Sequence, residues 1–103
     1  VSRFAKHQES HDRIERELAR ERAAALRRIG GRLAELLDDL EQRRARTREL
    51  TGGAPDHERT AYEAVRAEAR RYRWYLEIQR ESVGLRSHRG LEEFYPTPGP
   101  LDG

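Results

Sequence analysis

Two histidines four residues apart are the first residues in the chain whose types and spacing could do chemistry. In the segment HQESH, His7 and His11 share one face of a helix, where two imidazoles can grip a metal ion, and Glu15 follows one turn later as a third ligand. The zinc-protease arrangement puts a glutamate directly after the first histidine, whereas Gln8 stands here. No third histidine is within reach: His57 falls in a turn and His88 beyond Gly84. The pair reads as solvated or as part of a helix seam, and no metal or other cofactor is expected.

Nucleophilic and phosphate-binding chemistry find no firmer footing. Ser2, Ser10, Ser82 and Ser87 lack a surrounding motif that would supply a base and an orienting acid. The chain contains no cysteine, which excludes thiolate metal sites, cysteine nucleophiles and disulfides. Gly30-Gly31 and Gly52-Gly53 are isolated pairs with no following Lys-Ser or Lys-Thr, so neither makes a phosphate loop. A non-catalytic role is expected. The weaker alternatives are an all-helical enzyme that lines a small anion pocket with Arg and Glu, and a small assembly chaperone.

Arginines offer another chemistry, a grip on phosphates. Arg43, Arg44, Arg46 and Arg48 gather toward one end of a helix with Arg59 across the following loop, and Arg66, Arg70, Arg71 and Arg73 form a second group. Glu41, Glu49, Glu58, Glu63 and Glu68 are interleaved with them at ion-pair spacing, the usual pattern of a solvated helix face. With 21 basic against 19 acidic residues the net charge is only +2, so the pI near 9.4 does not signal a strong basic field. Nucleic-acid association through Arg43, Arg44, Arg46, Arg48 and Arg59 is therefore the alternative function, not the favoured one.

The elements that must position these groups are legible in the apolar spacing. Ile14, Leu18, Leu26, Ile29, Leu33, Leu36, Leu40 and Leu50 recur at helical intervals with no proline between Phe4 and Leu50, which predicts one helix over about 3–50. From Leu26 onward the steps alternate by three and four, a heptad seam, and two consecutive four-residue steps at 18, 22 and 26 make a stutter. The cluster TGGAPD predicts a turn over 51–56, with Gly52 or Gly53 as the left-handed residue and Asp56 as the next N-cap. A second helix over about 57–83 carries its own seam: Tyr62, Val65, Ala69, Tyr72, Leu76, Gln79 and Val83.

Two long helices joined by a short turn imply an antiparallel hairpin. Folding at Gly53 sets Leu33 against Tyr72 and Leu40 against Val65, and it brings Gly30 and Gly31 to Tyr75-Leu76 beside Trp74. A helix-interior glycine costs about 1 kcal/mol relative to alanine, so the pair is expected to mark a close helix crossing. A kink at that point is the competing expectation.

Residues 84–103 break the pattern with Gly84, Gly90 and Gly99 and with prolines at 96, 98 and 100, which predicts a short helix and then an extended tail. Leu91, Phe94 and Tyr95 share a face of that helix. They either dock elsewhere or fold onto Trp74 and Ile78, which with Tyr75 lie outside the seam of the second helix. An uncovered Tyr72, Trp74, Tyr75 and Ile78 stripe, joined by Leu91, Phe94 and Tyr95, is the expected protein interface.

The expected fold class is all-α: a long antiparallel helical hairpin with a short C-terminal helix or turn and an extended Pro-rich tail, assembling into a helical bundle. The expected partner is the chain itself, as a homodimer or higher, or a larger protein assembly. A chain with 39% charged and 35% hydrophobic residues builds a thin core, which favours such association. No apolar run approaches the roughly 18 residues that span a bilayer, and no secretory segment is visible, so no membrane partner and a cytoplasmic location are expected.

Overall fold

The structure, a computed structural model, describes residues 2–101; residue 1 and the last two residues of the predicted C-terminal tail, 102–103, lie outside the described residues. Three helices follow one another: α1 (Arg3–Arg48), α2 (Asp56–Ser82) and α3 (Leu91–Phe94). Helices α1 and α2 pack against each other as an antiparallel hairpin, and no strand occurs among the described residues.

Each boundary has a local cause. The Ser2 hydroxyl caps α1 by accepting a hydrogen bond from the Ala5 backbone N–H at 3.1 Å. At the other end Arg46 and Arg48 sit in the last turn, where their charge opposes the negative pole of the helix. The helix stops at Arg48 because Gly52 and Gly53 both take left-handed φ values, +89° and +87°, and turn the chain. Pro55 occupies the N-cap of α2 with its fixed φ, which makes Asp56 the first helical residue rather than the cap. Helix α2 ends in a Schellman turn: Leu85 N–H bonds to Arg80 C=O at 2.9 Å and Gly84 N–H to Glu81 C=O at 3.0 Å, with Gly84 left-handed.

The core is one layer deep. Leu33, Leu36 and Leu40 of α1 meet Tyr62, Ala69 and Leu76 of α2, and Leu26, Ile29, Val65 and Tyr72 flank them. These are the two expected seams, and the hairpin register holds: Arg44 Nη1 reaches the Tyr62 hydroxyl at 3.5 Å, a pair that folding at Gly53 sets opposite each other. Leu50 and Val83 do not join the core as their seams predict, because each falls beyond the end of its helix and is exposed.

Helix α1 runs unbroken through Gly30-Gly31, so the pair makes no kink that ends the helix. Only Gly30 is buried, and the side chain that comes close is Tyr95: a methyl group added at Gly30 would stand 3.0 Å from its hydroxyl oxygen. Leu76 lines the same groove as Gly30, whereas Trp74 stays exposed. The close approach is thus made by the C-terminal tail. Gly31 faces open space.

The two helices differ in length, and the difference shapes the molecule. Helix α2 runs out opposite about residue 24 of α1, and between Arg3 and Arg22 every residue except Ala5 is exposed. The hairpin body therefore continues into a single-helix arm of roughly 30 Å at ~1.5 Å per residue. The principal extents are 77 × 22 × 16 Å.

Candidate functional site

Trp74 lies on the face of α2 opposite its buried row Tyr62, Ala69 and Leu76, and 58% of its surface is exposed. Ile78, one turn on, and Tyr75 beside it are exposed as well. The rings support one another: Trp74 and Tyr75 have centroids 5.8 Å apart, and Tyr75 meets Tyr72 edge-on at 5.4 Å. Tyr72 also packs against the core, so the ring contacts tie the patch to the hairpin.

The C-terminal residues separate into two roles. Leu91 is buried in the hairpin core, and Tyr95 packs there over Gly30, while Phe94 points outward with 81% exposure. Leu91 and Tyr95 thus make intramolecular contacts, with the segment folded back on the hairpin. The segment does not cover Trp74 and Ile78, because α3 sits over the groove between α1 and α2 and not over the back of α2.

Beyond α3 the extended tail lies back along the hairpin toward the turn, held by successive side chains of α2. Glu92 accepts from Arg73 at 2.8 Å, the Pro98 carbonyl from Arg66 at 2.8 Å, and the Gly99 carbonyl from the Tyr62 hydroxyl at 2.8 Å. Leu101 then packs against the core. In the connection between α2 and α3 Arg80 donates to the Ser87 carbonyl at 2.8 Å, and His88 meets Glu81 at 3.0 Å. Tyr62 and Arg66 are the residues whose part in this clasp sequence reasoning missed. The signal was a tyrosine inside an apolar seam, since a buried hydroxyl needs a partner and a Pro-rich strand offers carbonyls.

No family model, curated protein or solved structure matches the chain.

The arginines near the turn are drawn into local contacts. Arg43 pairs with Asp39 at 2.9 Å and lies 3.9 Å from Glu58, Arg44 reaches Tyr62, and Arg59 donates to the Ala54 carbonyl at 3.1 Å. Arg46 and Arg48 stand exposed at the end of α1. In the second group Arg66, Arg71 and Arg73 each pair with a glutamate. His11 lies 3.9 Å from both Asp12 and Glu15 and is exposed, and no group of three or more metal-ligating side chains occurs among the described residues. No helix among them is long and apolar enough to cross a membrane. The open groove of about 440 Å³ beside Gly30 and Gly31 is lined by Leu26, Leu76, Leu91 and Tyr95 with Arg27 and Arg80 at its edge.

Proposed function

We propose that this chain is a non-catalytic interaction protein, a helical hairpin that self-associates or docks on a larger protein assembly. The observation that carries this reading is the exposed Trp74, backed by Tyr72, Tyr75 and Ile78 on a rigid helix whose remaining outer face is charged. Aromatic anchors fixed in advance lose little entropy on binding and contribute most of the energy at interfaces. Phe94 adds a second apolar contact on the outside of the tail. Protein docking is favoured over nucleic-acid binding because three of the five arginines near the turn, Arg43, Arg44 and Arg59, already hold a carboxylate, a hydroxyl or a carbonyl, which leaves Arg46 and Arg48 as the exposed pair.

The test is the native mass of the complex formed by the tagged chain in its source cell, with and without Trp74→Ala. The variant is expected to lose the assembly while its helix content in circular dichroism stays at the level of the parent. An unchanged native mass would overturn the reading. A steeply salt-dependent shift with duplex DNA or RNA, lost on changing Arg46 and Arg48 to Gln, would establish the alternative.

A further inference from the structure

We infer that the groove beside Gly30 and Gly31 is a binding site for an apolar carboxylate, a single hydrocarbon chain with one anionic head, as in a fatty acid. The inference goes beyond the interaction-protein reading and uses a different surface from the Trp74 patch. The groove's volume of about 440 Å³ falls within the roughly 300–1,000 Å³ of small-ligand sites. Leu26, Leu76, Leu91 and Tyr95 line it, the two glycines add no side chain to it, and the exposed Phe94 stands at its edge.

Its polar chemistry is one-sided. The polar side chains that line it are Arg27, Arg80 and Tyr95, and no acidic residue lines it. The hairpin register sets Arg80 opposite Leu26 and so beside Arg27. Arg27 makes no ion pair or hydrogen bond among the described residues, because the positions one helical turn away are Ala23, Ala24, Gly30 and Gly31. Residues 22–34 hold four arginines and no Asp or Glu. The arginines at 66, 71 and 73, by contrast, each have a glutamate beside them. Arg80 donates to the Ser87 carbonyl and meets no carboxylate among the described residues. The Tyr95 hydroxyl stands over Gly30 and makes no hydrogen bond among them.

Two cations and a hydroxyl around an apolar lining match one carboxylate on an apolar body. A peptide strand fits worse, since it brings N–H donors and the lining side chains offer a single acceptor, the Tyr95 hydroxyl. Gly31 supplies a separate reason. A glycine in a helix interior is destabilising relative to alanine, and a methyl group at Gly31 would meet nothing within 4 Å. No contact inside the chain explains it. Gly31 lines the groove, so a side chain there would take up the ligand's space, and a ligand resting on bare helix backbone accounts for the glycine.

Titration of the full chain with sodium decanoate, followed by calorimetry and amide NMR shifts, is expected to show saturable binding with a dissociation constant at or below roughly 1 mM. The largest shifts are expected at Gly30, Gly31 and Leu91. Decanol keeps the chain and lacks the charge, and it is expected to bind about tenfold more weakly. Arg27→Gln, an exposed position where the fold is not at stake, is expected to weaken decanoate by about the same tenfold. Gly31→Leu is expected to unfold at or above the parent's midpoint, through better helix propensity, while losing decanoate binding about tenfold or more. Trp74→Ala is expected to bind decanoate as the parent does, so failure of the aromatic-patch reading and failure of this site are separate results. No saturation by roughly 1 mM, equal affinity for decanol, undiminished binding in Arg27→Gln or Gly31→Leu, shifts centred on Trp74, or binding lost in Trp74→Ala would each overturn the proposal.

Discussion

Gly30 and Gly31 are neighbours in one helix with opposite surroundings, and they show how much one side chain's environment decides. Gly31 meets nothing within 4 Å, so Gly31→Ala is expected to stabilise the protein by about 1 kcal/mol through helix propensity alone. At Gly30 the same methyl group would stand 3.0 Å from the Tyr95 hydroxyl, and the ring would have to give by a few tenths of an ångström against its packing on the core. Gly30→Ala is therefore expected to fall short of Gly31→Ala by about 1 kcal/mol, the scale of an overpacking strain. Chemical denaturation of the two variants side by side measures the difference. Equal stabilities would show that Tyr95 does not rest on Gly30.

At the scale of elements the tail is a strap whose clasp is polar. A Pro-rich strand has few N–H donors and several carbonyls, so it is held by donors on α2, and the Tyr62 hydroxyl is the one inside the core. Tyr62→Phe keeps the ring and removes that donor. The expected cost is about 1 kcal/mol, the net worth of one hydrogen bond. Faster amide exchange confined to residues 97–101 would accompany it, with α1 and α2 unchanged. Protection that stays the same would assign the strap to Arg66 and Leu101 instead. The arm of α1 is the contrasting element: its residues are helical by propensity and capping, yet no other element among the described residues packs on them.

At the scale of the whole molecule the core is thin. Leu33, Leu40 and Tyr62 are its largest fully buried side chains, so each carries a large share of the stability. Leu40→Ala is expected to cost about 3 kcal/mol, a heavy loss for a domain whose total is on the order of 5–15 kcal/mol. Thermal or denaturant unfolding reads this directly. A loss under about 1 kcal/mol would place the stabilising contacts outside this seam. The surface ion pairs weigh little beside it, since exposed pairs contribute about 0–1 kcal/mol and are screened by salt.

What could be read from the sequence was whatever depends on local periodicity. Leu33, Leu36 and Leu40 on one helix and Tyr62, Ala69 and Leu76 on the other repeat at the spacing that any helix turns into a stripe, and the glycines at 52 and 53 mark where the chain reverses. Helix, turn, helix and register followed from that. The exposure of Trp74 and Ile78 was legible for the same reason, because both lie off the stripe.

The tertiary structure decided what depends on contacts between residues far apart in the chain. Sequence spacing places Leu91, Phe94 and Tyr95 on one face, but packing buries Leu91, rests Tyr95 on Gly30 and leaves Phe94 outside. The reason is that the groove between α1 and α2 exists only once the hairpin has closed, so no local pattern announces what will fill it. The same holds for the arm: its apolar row was visible in the sequence, and only the point where α2 runs out leaves it bare.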